Sequence, residues 1–185
     1  MSQNIYFYHE YEITQNLEQE VKKLLDICFP NTFSGRTFFK QLPHSRYLVW
    51  ENDVLIGQVG LDYRAIKYGE KLVNSLCIID LCVLPEFRNK GVATKLLQSV
   101  KNLAVKNKIN ALVLFADTPH VYVNFGFLKY SSVKIRFLAI DDEKHISHSV
   151  MDKIYKNCFM AYFLTKDVES DCYESETIDL LGYLF

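Results

Sequence analysis

The sequence predicts a single mixed α/β (α+β) domain over residues 1–185, and three observations carry that reading. Aromatic and β-branched stretches separated by turn signals dominate the first third, a long helical stripe directly follows a nearly unbroken apolar run, and further short apolar runs close the chain. Antiparallel strands, then a strand–helix–strand–helix unit, then more strands is the order of a mixed sheet with helices packed on it. Neither a Gly-, Ser- or Pro-rich linker nor an internal repeat divides the chain.

Residues 5–13 read as the first strand. Asn16, with Gln19 three positions later, offers an N-cap and a capping-box partner, and Leu17, Val21, Leu24, Leu25 and Cys28 follow at helical spacing as far as Pro30. A second short helix is expected over 37–42. Residues 47–50, the turn-prone Asn52-Asp53 and residues 54–63 read as a hairpin carrying Leu48, Trp50, Leu55 and Val59. After a turn at 67–71, the apolar run 76–84, stopped by Pro85, has the pattern of a strand buried on both faces. The period changes to 3.6 over 91–107, where Val92, Leu96, Val100, Leu103 and Ala104 make one apolar stripe. Residues 111–116 read as a short buried strand, 119–125 as a short helix, and 133–140 and 157–165 as strands, with 141–155 either helix or loop. Asp167, Glu169, Asp171, Glu174, Glu176 and Asp179 then face a single Lys166, either as a solvated loop or as an attraction for a polycationic amine. The apolar end, Ile178, Leu180, Leu181, Tyr183, Leu184 and Phe185, is expected to dock on the domain.

Charge and composition exclude several functions. Lys and Arg number 21 against 22 Asp and Glu, so no nucleic-acid or membrane partner is expected. The five cysteines, Cys28, Cys77, Cys82, Cys158 and Cys172, are scattered without a CxxC pair, which is neither a disulfide framework nor a zinc spacing; a reducing cytoplasm is the expected compartment. The amino end shows no basic segment leading into an apolar one, and no apolar run reaches the length of a membrane span. His145 and His148 could share a metal on a helix, but no further ligand follows at a suitable spacing, so no metal is expected. Gly57-Gln-Val-Gly60 is no dinucleotide fingerprint, and neither a phosphate-binding lysine loop nor a nucleophilic serine elbow is present.

The chemistry concentrates where a buried strand runs into a helix through Leu84-Pro-Glu-Phe-Arg-Asn-Lys-Gly-Val-Ala93. A tight loop with Gly91 and small Ala93 at a helix N-terminus exposes free N–H groups and the positive end of the helix dipole, an anion cradle. Six basic residues and no acidic one lie from Arg88 to Lys108 (Arg88, Lys90, Lys95, Lys101, Lys106, Lys108), which suits a polyphosphate ligand; a solvated basic face is the alternative. Asp80 is the single charged residue in the apolar run. A buried carboxylate is costly unless paired or functional, so Asp80 is either a base that takes an amine proton or a hydrogen-bonded structural group.

The stretch Arg88-Asn-Lys-Gly91-Val-Ala93 resembles motif A of the GNAT superfamily of N-acetyltransferases, and Tyr122-Val-Asn-Phe-Gly126-Phe127 resembles its motif B. The resemblance is firm over 76–130. It implies the GNAT acyl-CoA N-acyltransferase fold, a twisted, mostly antiparallel sheet flanked by helices, with a cleft where the strand ending at Leu84 parts from the one ending at Ala116. It implies acetyl-CoA as cosubstrate, its pyrophosphate on Arg88, Asn89, Lys90, Gly91, Val92, Ala93 and Thr94, and its thioester held by Leu81, Cys82 and Val83, whose backbone N–H groups would meet the oxyanion. Tyr122 matches the general acid that protonates the departing thiolate, beside the reading of Tyr122 as packing. The expected reaction is direct acetyl transfer to a primary amine of a small molecule; Cys82 as nucleophile is the competing route, without a neighbouring His in sequence. The chain also resembles, more loosely, aminoglycoside N-acetyltransferases and nodulation-type N-acyltransferases, which implies a small cationic acceptor. Transfer of a longer acyl chain and a non-catalytic acyl-CoA-binding module are the alternatives, and a homodimer is compatible with exposed strand edges. One departure is visible: Asp117-Thr-Pro119 stands where many members place an Asn that contacts the pantetheine.

Overall fold

Two left-handed residues set the first hairpin. In the computed structural model, which describes residues 3–130, 133–140, 145–151, 159–173 and 175–185, Asn52 and Asp53 carry φ of 48° and 62°. This is the turn that matches strand twist, and it joins β2 (Ser45–Glu51) to β3 (Val54–Tyr68). The chain forms two compact units, Met1–Asp62 with Ile78–Leu103, and Tyr63–Cys77 with Ala104–Phe185.

In the first unit β1 (Gln3–His9) pairs antiparallel with β2 along its whole length. It is shorter than its aromatic composition suggests, because Glu10–Glu12 turn into a 3-10 helix. The cap of α1 (Gln15–Cys28) is Thr14, not Asn16: Thr14 has the extended backbone a cap needs and its hydroxyl accepts from Leu17 N at 3.4 Å, while Asn16 falls inside the first turn. The helix expected at 37–42 does not form. Its first carbonyl, on Thr37, instead accepts from Arg46 Nη2 at 2.6 Å, and a helix so short has little stability of its own to compete. Two longer elements, β4 (Lys71–Val83) and α2 (Val92–Lys106), bring Val83, Val92, Leu96, Leu97 and Val100 into this unit's core with Val21, Leu24, Leu25, Leu48, Val59 and Leu61.

The second unit orders its strands β6-β9-β5-β4-β3-β10-β7-β8, with β5 (Ala111–Phe115), β6 (Leu128–Lys129), β7 (Lys134–Ile140), β8 (Ile146–Met151), β9 (Phe159–Phe163) and β10 (Thr177–Tyr183). The β4–β5 and β7–β10 pairs are parallel, and β1–β2, β2–β3, β3–β10, β5–β9, β6–β9 and β7–β8 are antiparallel, so the sheet is mixed and mostly antiparallel. The α-helices among the described residues are α1, α2, α3 (Pro119–Val123) and α4 (Lys166–Tyr173). Residues 146–151, inside the span expected to be helix or loop, are strand β8, paired with β7 from Ile140↔Ile146 to Ile135↔Met151; residues 141–144 and 152–155 of that span lie outside the described residues. His148 therefore sits on a strand opposite Leu138 and is not one turn from His145 on a helix.

The carboxyl end docks as a strand. Ile178 pairs with Tyr68 on one side and Ile135 on the other, and the side chains of Ile178 and Leu180 are fully buried. Part of the acidic run is helix α4, with Asp167 and Glu169 in its first turn, where carboxylates favour the positive end of the dipole. Leu181 is 53% exposed and left-handed (φ 49°). Ile178→Ala is expected to lower stability by about 2–5 kcal/mol and Leu181→Ala to change it by no more than about 0.5 kcal/mol; urea unfolding of the two variants beside the parent checks this.

Candidate active site

Strand β4 runs on through Asp80, the residue that interrupts its apolar run, with an irregular backbone there. Asp80 has φ 49°, a left-handed conformation that Asp tolerates better than most side chains. Past it, Cys82 and Val83 are both buried, at 7% and 9% exposure.

The motif 57–60, which carries no cofactor signature, makes room for this strand. A Cβ on Gly60 would lie 2.8 Å from Ile79 Cγ1, and one on Gly57 would lie 3.1 Å from both Cys82 O and Val92 Cγ1. Leu84 N donates to Ile56 O at 2.9 Å, so β3 and the end of β4 stay joined past the irregularity. Between the two glycines, fully buried Gln58 donates from Nε2 to Asp80 O at 2.8 Å and accepts at Oε1 from Arg46 Nη1 at 2.9 Å.

Burial pushes the Asp80 carboxyl up to about 6, against the lowering influence of the Arg46 charge. Cys82 moves the other way from a nucleophile: its hydrogen bond with Cys28 and its burial hold the thiol well above the usual range. The same hydrogen bond, seconded by Arg88, lowers the half-buried Cys28 at the end of α1 to about 7.

Beyond β4, Pro85–Phe87 form a 3-10 turn, and Arg88 folds back to donate from Nε to Val83 O at 3.1 Å. Asn89 and Gly91 are left-handed, with φ 61° and 81°. A Cβ on Gly91 would meet nothing within 4 Å, so the loop is open there. Gly91 O accepts the first helical bond, from Lys95 N at 3.0 Å, which leaves the N–H groups of Val92, Ala93 and Thr94 without partners inside the helix. The basic run does not converge on this loop. Lys90 lies over the Phe87 ring at 5.1 Å and Lys95 donates to Gln3 Oε1 at 2.7 Å. Lys106 stands in the last turn of α2, about 20 Å along the axis at ~1.5 Å per residue.

In the second unit, Tyr122 lies in α3, edge-on to Phe127 with ring centroids 5.9 Å apart. Its main-chain carbonyl accepts from Phe125 N at 2.9 Å and Phe127 N at 3.2 Å, folding the Asn-Phe-Gly turn around it. Burial, then the charge of Asp117, pushes its hydroxyl up to about 12. Asp117, which departs from the family pattern, thus bears on Tyr122. The parallel ladder that ties β4 to β5 covers residues 75–77 and 111–113. The acidic tail forms no uniform patch: Glu176 and Asp179 line a groove of about 660 Å³ with Glu70 and the cations Lys67, Lys134 and Arg136. Glu174 lies outside the described residues.

The model of the acetyltransferase (GNAT) domain matches residues 11–129. This chain belongs to the GNAT acetyltransferase family. Solved structures of similar fold include a GNAT family N-acetyltransferase (YhbS) from Escherichia coli, in complex with CoA, at 14% identity and TM-score 0.68 over 97% of this chain and 91% of that one. An acetyltransferase of the GNAT family from Staphylococcus aureus Mu50 matches at 17% identity and TM-score 0.55 over 89% and 100%. A probable N-acyltransferase from Enterococcus faecalis V583 matches at 15% identity and TM-score 0.58, where this chain spans only 34% of the longer protein's length. At such identities the likeness is one of fold. No relative is found among curated proteins.

The thiols of this GNAT chain separate by environment. Cys28 is half-buried and titrates near pH 7, whereas Cys77, Cys82 and Cys172 are buried. Alkylation by iodoacetamide is expected to label Cys28 first among these four, its rate rising with pH through about 7 as the thiolate forms. Peptide mapping by mass spectrometry over pH 6–8 reads this out.

Proposed function

We propose that this chain is an acetyl-CoA-dependent N-acetyltransferase that passes the acetyl group directly to a primary amine. The observation that carries the reading is the Gly91 loop, left-handed and open at the N-terminus of α2, tied to the end of β4 by the Arg88–Val83 hydrogen bond. An anionic diphosphate of CoA suits such a loop: the N–H groups at the head of the helix are free of helical partners, and a Cβ on Gly91 would meet nothing within 4 Å. The CoA seen in the Escherichia coli neighbour supports the same ligand here.

In this reading Leu81, Cys82 and Val83 present backbone to the thioester arm, and an N–H among them meets the developing oxyanion. Asp80, ionised above about pH 6, takes the proton of the attacking amine, directly or through water. Tyr122 keeps its proton up to about pH 12 and gives it to the departing thiolate. The thiol of Cys82, held protonated, takes no part as nucleophile. A small cationic amine, such as an aminoglycoside-like one, is the finer reading of the acceptor, supported by the Asp80 carboxylate. Its KM is then expected to rise with salt while that of acetyl-CoA stays near constant.

Thiol release from acetyl-CoA against a panel of amines tests the activity, and absence of release with every amine overturns it. Gly91→Val is expected to abolish CoA binding by calorimetry in a protein of unchanged circular dichroism; undiminished affinity removes the loop assignment. Tyr122→Phe is expected to lower kcat by roughly 10²–10⁴-fold with CoA affinity kept. Because the active form of Asp80 is the anion, kcat/KM is expected to fall as pH drops through about 6, and Asp80→Asn, which suits the same left-handed backbone, is expected to lose both rate and this limb. A limb that survives in Asp80→Asn places the base elsewhere.

A further inference from the structure

Resting on the reading of Asp80 as the base, we infer that Gln58 is a positioning residue that couples Asp80 to the buried guanidinium of Arg46. Arg46 is 1% exposed. Its Nε and Nη2 donate to the two Glu10 carboxylate oxygens at 2.8 and 3.0 Å, Nη2 also to Thr37 O at 2.6 Å, and Nη1 to Gln58 Oε1 at 2.9 Å. A guanidinium only donates, so it fixes which end of the Gln58 amide faces it. The NH₂ end is thereby turned on the Asp80 carbonyl, 2.8 Å away. This is a main-chain group of the one left-handed residue of β4. Gln58 is fully buried between two glycines whose absent side chains let β4 approach, so neither end of its amide has water to turn to. Loss of the amide would leave a buried donor on Arg46 without its acceptor and take the Gln58 donor from the half-buried Asp80 carbonyl.

The same chain of contacts carries charge. Arg46 opposes the burial of Asp80, and Glu10, paired with Arg46, offsets part of that positive charge. The other groups at hand are Cys82 on the same strand, with Cys28 of α1 behind it, and the His44–Asp62 pair, 2.7 Å apart, beside β2 and on β3. Two substitutions therefore act on Asp80 with opposite sign. Gln58→Glu keeps an acceptor for Arg46, removes the donor to the Asp80 carbonyl and adds negative charge, which raises the Asp80 midpoint. Glu10→Gln keeps one of the two acceptor oxygens for Arg46 and uncovers its positive charge, which lowers the midpoint.

The test is ¹³C NMR titration of aspartate carboxyls in the full chain, the Asp80 signal assigned by its loss in Asp80→Asn, beside the pH profile of kcat/KM. We expect shifts of about half to one pH unit, upward in Gln58→Glu and downward in Glu10→Gln, with the acid limb following, and roughly tenfold lower kcat in Gln58→Glu. An unmoved Asp80 signal, or shifts of the same sign in both variants as general loosening would give, overturns the inference. Should Gln58→Glu fail to fold, the sign of the Glu10→Gln shift decides alone. If the signals move oppositely while Asp80→Asn keeps full turnover, the coupling stands and the assignment of Asp80 as base falls.

Discussion

A buried guanidinium organises the first unit. With 1% of its surface exposed, Arg46 must give its donors to protein acceptors, and it draws them from segments far apart in sequence: Glu10 after β1, Thr37 in the following loop, and Gln58 in β3. Withdrawing one partner of such a buried pair typically costs about 3–5 kcal/mol, so these acceptors constrain the chain strongly. The demand accounts for the 3-10 turn that ends β1 early, for the irregular path at 37–42, and for a glutamine amid the buried stretch 55–62 of β3. Through Gln58 it reaches the backbone of Asp80.

Glycine geometry makes the same strand pair usable. Gly60 admits Ile79 at a distance no Cβ would allow, and Gly57 admits Cys82 and Val92 at distances that would crowd one, so β4 can carry a left-handed residue and still lie against β3. The strand then passes into the Gly91 loop, where positive φ orients the backbone and an empty space replaces a side chain. Missing Cβ atoms thus serve close packing in one segment and an open, left-handed loop in the next.

The two proton carriers of the proposed reaction owe their states to burial acting on acids of different strength. Desolvation raises both: Asp80 to about 6, which leaves it an anion at neutral pH, and Tyr122 to about 12, which keeps its proton. Arg46 limits the first shift and Asp117 enlarges the second. Cys82 is held protonated by its partner Cys28, whose own thiol is correspondingly acidic.

The sequence by itself determined the mixed α/β class, the hairpin at Asn52-Asp53, helix α2 and the Gly91 loop, because each arises from local rules: turn chemistry, apolar period and the geometry of a helix start. It also singled out Asp80, since a lone carboxylate in an apolar run is visible without coordinates. Only the tertiary structure decided that Asp80 is left-handed, that Gly57-Gln-Val-Gly60 serves β4, that 146–151 is a strand, and that the carboxyl end inserts between β3 and β7. The basic run looked like one field along the sequence, yet α2 carries Lys106 to its far end. These outcomes depend on partners distant in sequence, Arg46 for Thr37 and Gln58, Ile79 for Gly60, Tyr68 and Ile135 for Ile178, and a local pattern holds no record of which buried group will claim which acceptor.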